Sequence, residues 1–331
     1  MGTLSDNPLK NKPLDRTSAG TRFSPRVLAI AAWIVVVLLV WISQTLSEIK
    51  SPDKSQTAQS DTAKPGKIAI TIDDLPVVSV YEPSERRHIT ERILNSLHVH
   101  DVNATGFVVG GNIDSDWDLL AAWLDEGHTL GSQTYSHYDL HVIPQEIFIE
   151  DMVKGATVLE SFLSGFGQKV RFFRPPYLHY GKKPEIRERI EAILKGNKHK
   201  LAHVSVDIDD YIYNLKMDGL KNSNDSARFD VLRSEYIEHV LESIHRAESL
   251  ADFVVRRPVK HILALHANML NAVFLGDLLR AIDEFGYEFV TLREAIRDPL
   301  YQMQDEYYGP SGISKIERVA RSNSKYIPPE F

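Results

Sequence analysis

From Lys67 onward, short apolar runs alternate with stretches of helical periodicity, and this alternation most narrows the folds open to the chain. Ile68 to Ile72 is a β-branched run that stops abruptly at Asp73-Asp74. In residues 84–98, Ile89, Ile93, Leu94 and Leu97 recur at the spacing of one helix face. Further strands are predicted at 105–109, 129–132, 170–173, 201–206, 259–265 and 287–290. Helices are predicted at 117–125, 144–163, 184–195, 229–249 and 275–285. Strand followed by helix throughout predicts a parallel α/β sheet or barrel. No repeat or long linker interrupts it, so 67–299 reads as one domain, with 300–331 as an unplaced C-terminal extension.

The N-terminal side is different in kind. Residues 1–26 are polar and basic, with a local charge of +3, and read as a cytosolic tail. Residues 27–47 contain no charge, and Val27 to Ile42 is apolar without a break. As a helix, 21 residues span about 31 Å, the thickness of a hydrocarbon core. No polar stripe marks it as a core helix, and Trp41-Ile42-Ser43-Gln44 is a poor signal-cleavage site. A single transmembrane anchor is therefore expected. The basic flank puts the N-terminus in the cytosol and the body outside the cytoplasmic membrane. Residues 48–66, rich in Ser, Thr, Gln and Lys, read as a flexible stalk.

The whole chain carries −7, which leaves −10 beyond the tail. A body that acidic is a poor phosphate binder, so no nucleic-acid partner is expected. The chain has no cysteine, which removes disulfides, thiolate metal sites and cysteine nucleophiles.

In parallel α/β folds the carboxyl ends of the strands face the active site. Five predicted strands end in ionisable or metal-binding side chains: Asp73-Asp74, Gln133 to His137 with His141 beyond, Arg174, Asp207 to Asp210, and His266. Each has a bland alternative as a turn, a cap or a core histidine. Their shared position argues against chance.

Their order resembles the polysaccharide deacetylase family over about 67–295. Thr71-Ile72-Asp73-Asp74 is similar to its first motif, which implies Asp73 as base and Asp74 as metal ligand. Gly131 to Leu140 resembles the second, H-[ST]-x-x-H, which implies His137 as a ligand. Arg174-Pro175-Pro176-Tyr177 fits R-x-P-[YF], where the arginine holds the catalytic aspartate. Asp207 to Tyr211 fits D-x-x-D-W with tyrosine for tryptophan. His261 to His266 matches the motif that supplies the catalytic acid, His266, with Asp210 as its implied carboxylate partner. The resemblance implies a distorted (β/α) barrel of mostly parallel strands and a divalent metal cofactor, zinc first among them. It also implies an acetylated glycan substrate touched by Pro176, Tyr177 and Tyr211.

One departure stands out. Gln133 occupies the position of the first metal histidine. It is either a weak amide ligand or is replaced by His141, one helical turn past His137. The residues support a membrane-anchored, extracytoplasmic deacetylase of N-acetylated sugars. The alternative is a non-catalytic glycan-binding module with a degraded metal site. Retention of both Asp73 and His266 favours the enzyme, because binding alone has no use for a base and an acid together.

Overall fold

Strand β1 (Gly66–Leu75) lies at the heart of the sheet, and its sequence accounts for the position. Ile68, Ala69, Ile70 and Ile72 are all fully or almost fully buried, so both faces of the strand are covered. Alternating polarity would not survive there; a continuous apolar run does. The chain is seen here as a computed structural model, which describes residues 66–77, 81–220 and 225–323. The basic tail, the apolar stretch 27–47 and the stalk up to residue 65 lie outside the described residues. Among the described residues, no helix is long and apolar enough to cross a membrane.

The other strands are β2 (Thr105–Val108), β3 (Thr129–Ser132), β4 (Phe172–Phe173), β5 (Lys200–Leu201), β6 (Lys260–His266) and β7 (Tyr287–Phe289). They run in the order β5-β4-β3-β2-β1-β6, and β7 pairs with the start of β1. Every pairing is parallel.

The strand expected over 201–206 is not continuous, and the break is what curls the sheet. Ala202 still donates its N–H to Phe173 in β4. Four residues on, Val206 bridges Leu263 in β6 instead. The segment thus leaves one end of the strand order and reaches the other, giving the parallel strands a distorted, barrel-like curvature. A single straight strand cannot serve both partners.

Helices α1 (Pro83–Val99), α2 (Trp117–Asp125), α3 (Gln145–Ser164) and α4 (Pro184–Gly196) fall within a residue or two of expectation. Helix α5 (Asp210–Leu220) was not expected. Its buried positions are Asp210, Asn214, Met217 and Leu220, so two of the four residues on its inner face are polar and mask the periodicity. Helix α6 (Ser226–Val255) is longer at both ends than predicted. Helix α7 (Met269–Glu284) begins six residues early, because Asn268 caps it by accepting a 3.0 Å bond from the Asn271 N–H.

After the short α8 (Leu292–Ala295), the C-terminal segment folds back onto the body. Tyr301 and Ile316 share a buried cluster with Ile262 of β6. Helix α9 (Lys315–Arg321) buries two cations, Lys315 and Arg318, so its inner face does not read as apolar in the sequence. Asp305 compensates part of that charge, accepting from Lys315 and Arg187 at 2.9 Å each.

Candidate active site

The carboxyl ends of β1, β3, β4 and β6 meet at a cavity of about 570 Å³. Strand register alone places two of the expected residues. Asp73 on β1 pairs directly with His266 on β6. Loops and helices position the rest.

Asp73 is buried, at 4 % exposure. One carboxylate oxygen accepts a short bond from Arg174 Nη1; the other accepts from Gln133 Nε2 at 3.3 Å. Arg174 is itself fully buried and spans the strands, donating also to Thr71 Oγ1 at 2.8 Å and Ala202 O at 3.2 Å. Burial pushes the Asp73 pKa up, and the Arg174 charge offsets this only in part. A carboxylate so placed is a stronger base than a solvated one.

Asp74 sits in a left-handed backbone conformation, φ 62°, as does His137 at φ 56°. The Asp74 Oδ1 atom lies 3.1 Å from His137 Nε2. It is buried and makes no aligned hydrogen bond. Although burial opposes ionisation, His137 and His266 hold Asp74 below the usual carboxylate range. Two donors sharing one tetrahedral ion sit roughly 3.3 Å apart at metal–ligand distances of about 2.0–2.1 Å. The spacing and the unaligned buried oxygen fit a divalent cation held between the two side chains.

Gln133 is committed elsewhere. Its Oε1 accepts from the Asp74 N–H at 2.9 Å while its Nε2 reaches Asp73, so one amide braces both aspartates. His141 is not drawn to the pocket either. Residues 137–139 are not helical, so the expected one-turn spacing does not arise. Its ring instead stacks on His179 at 3.8 Å.

On the opposite wall, His266 Nδ1 is 2.6 Å from Asp210 Oδ1, and the His266 N–H donates to Asp210 Oδ2. Asn271 Nδ2 donates to the same Oδ2 at 2.6 Å, and Asn271 Oδ1 accepts from the buried Tyr236 hydroxyl at 2.7 Å. Burial alone would lower the His266 pKa. The charge and hydrogen bond of Asp210, with Asp74 and Asp73 nearby, instead hold it well above the usual histidine value. The direction of that shift favours the protonated, proton-donating form of His266.

Tyr177 and Tyr211 line the mouth, at 57 % and 55 % exposure, and Leu215 of α5 adds an apolar surface beside them. Pro176 is buried and begins the turn that carries Tyr177. Of the nine non-glycine residues with positive φ among those described, five line this cavity: Asp74, His137, Tyr177, Leu178 and Asp209. Backbone strain concentrated at one cleft is a mark of function. Two glycines let the loops close. A Cβ on Gly155 of α3 would lie 2.2 Å from the Thr134 carbonyl carbon, and one on Gly312 would lie 1.8 Å from Tyr177 O.

Several lining residues had no role in the sequence reading. Asp207 was visible inside D-x-x-D, and burial together with Asp209 pushes its pKa up to about 6. Asn214, Leu215 and Asp218 come from the unexpected α5, and Gly312 from the unplaced C-terminal segment. No local motif marked them.

The chain is similar to known proteins in sequence and in fold. Residues 60–192 match a family model described as polysaccharide deacetylase, a span that ends before Asp210 and His266. A peptidoglycan-N-acetylglucosamine deacetylase of Bacillus cereus is 23% identical over 261 residues, 78% of this chain and 82% of that protein. Another from the same organism is 30% identical over 125 residues, 38% of this chain and 41% of its own length. A chitin deacetylase of Colletotrichum lindemuthianum is 34% identical over 122 residues, 35% and 43% of the two chains. The chain thus spans about two fifths of the length of two of these relatives. The crystal structure of a polysaccharide deacetylase from Bacillus cereus superposes with a TM-score of 0.50 at 21% identity, covering 68% of this chain and 91% of the other. That likeness concerns the fold.

Proposed function

Since the chain belongs to the polysaccharide deacetylase family, we propose that it hydrolyses N-acetyl groups on the amino sugars of a cell-wall or related glycan. The observation that carries this reading is the pairing of two opposed groups across one cavity. Asp73 is a buried base with a raised pKa, and His266 is a carboxylate-backed acid. Amide hydrolysis needs both, one to take a proton from water and one to give a proton to the leaving amine.

Asp73, oriented by Arg174 and Gln133, accepts the proton of the attacking water. The backbone N–H of Tyr177 is the proposed donor to the developing oxyanion. His266, held in its protonated form by the Asp210 carboxylate, then delivers its proton to the departing nitrogen. Tyr211 and Leu215 offer the apolar surface on which a sugar ring stacks. Asp74 and His137 would hold a divalent metal, zinc first by donor type. Bound there, the ion would lower the pKa of a water and polarise the acetyl carbonyl.

The uncharged stretch 27–47 with its basic flank supports an anchored protein whose body faces outward, where such a glycan lies. A reporter fused after Phe331 should be active only outside the cytoplasm; cytosolic activity would separate the enzyme from its substrate and overturn this placement.

The direct test is acetate release from N-acetylglucosamine oligomers and from peptidoglycan by the full chain supplied with zinc. Asp73→Asn and His266→Ala should each lower turnover by about 10²–10⁴ with the fold intact. A zinc-loaded chain that binds these glycans and releases no acetate would instead be a binding module.

A further inference from the structure

We propose that Asp139, His141 and His179 form a second divalent-cation site, outside the catalytic pocket, that ties three segments around Tyr177. One ligand atom from each of the three residues lies within 4.8 Å of the others. The hydrogen bonds around them define which atoms are free. His141 Nδ1 is 3.2 Å from Pro310 O, and a carbonyl only accepts, so Nδ1 carries the proton. Its Nε2 is therefore a bare lone pair, and that atom is buried with no hydrogen-bond partner. An unfilled buried acceptor is costly, and a cation removes the cost.

His179 supplies the second donor. Its Nδ1 shares a proton with Asp139 Oδ1 at 2.6 Å; its ring is stacked on His141 with a tilt of only 8°, so one ring has to turn about its Cβ–Cγ bond for both in-plane lone pairs to meet a single ion. A divalent cation taking the place of that proton has a carboxylate oxygen, one imidazole nitrogen and the His141 Nε2 as donors. Two imidazoles and a carboxylate form a donor set of the zinc type. The backbone carbonyl behind His141 is the outer partner that commonly orients a ligating histidine.

The place in the fold suggests what the ion does. Asp139 and His141 follow β3, His179 follows the turn that holds Tyr177 left-handed, and Pro310 belongs to the C-terminal segment. Tyr177 contacts His137 at 5.0 Å on the pocket side and His179 at 5.9 Å on this one, measured between ring centres. A bound ion would clamp the mouth of the pocket by fixing that turn. The inference does not rest on the proposed deacetylase activity.

The test is a zinc titration of the full chain, read as ions bound per chain and as melting temperature. Wild type should bind two zinc ions. His141→Gln and His179→Gln should each bind one, and should lose part of the zinc-induced rise in melting temperature. His137→Gln should also bind one but keep the clamp's share of that rise. If wild type binds one zinc that His137→Gln abolishes and both His141→Gln and His179→Gln retain, the second site does not exist. If the one zinc is lost in His141→Gln and kept in His137→Gln, the clamp stands and the catalytic metal reading fails. Far-UV circular dichroism of each variant guards against simple misfolding, and His141→Asn provides a second, smaller replacement.

Discussion

The two walls of the pocket hold their reactive groups by different means. On the base wall, Asp73 stands on β1 and is held by one buried arginine and one glutamine, while Asp74 and His137 are turned into place by left-handed backbones. On the acid wall, His266 stands on a regular strand and is oriented by side chains from three helices, Asp210 of α5, Asn271 of α7 and Tyr236 of α6. The base wall departs from the family pattern at Gln133, whereas the acid wall keeps its motif with only a conservative aromatic change at Tyr211. In the proposed reaction the proton donor would rest on this side-chain network, and metal affinity on the wall that carries Gln133.

The largest effect that would break this contrast is at Asp210. Asp210→Asn should lower turnover by roughly 10²-fold or more, and should move the alkaline limb of the pH profile to lower pH. The sign follows from His266. Its pKa is raised chiefly by Asp210 against the cost of burial, so removing the charge makes the acid lose its proton earlier as pH rises. An unmoved alkaline limb would mean that another group supplies the proton.

Next in size is Gly312→Ala. The added methyl meets Tyr177 O at 1.8 Å, so backbone must shift, with an expected loss of about 1–3 kcal/mol of stability in denaturant melts. An unchanged melt would show that the C-terminal segment does not support the mouth. Gln133→His should then sharpen the comparison by tightening zinc about tenfold, worth about 1.4 kcal/mol. Because Gln133 now braces both aspartates, the same change should also lower turnover per bound zinc; a gain in affinity with turnover intact would reduce the brace to a spectator.

The smallest effect concerns stability against acid. His128 and His261 are buried and neutral, each with its pKa lowered to about 4, mainly by burial. Between the unfolded value near 6.5 and about 4, the unfolded chain binds more protons, so stability should fall as pH drops through that window. Asp207, raised to about 6, works in the opposite direction below that pH. A melting temperature that rises from pH 6.5 to pH 5 would show that the carboxylates outweigh the histidines.

The sequence alone determined the alternation of strand and helix, because apolar periodicity is a local property of the chain. It also marked Asp73, Asp74, His137, Arg174, Asp210 and His266, because parallel strands deliver their carboxyl ends to one face. Tertiary structure decided what periodicity cannot carry. Helices α5 and α9 bury Asp210, Asn214, Lys315 and Arg318 against partners distant in sequence, so their inner faces look polar until those partners are in place. The switch of residues 202–206 from β4 to β6 depends on the curl of the whole sheet. The separate environments of Gln133 and His141 were settled in the same way. Each side chain had two chemically sensible destinations, and packing chose between the two aspartates for one and the His179 ring for the other.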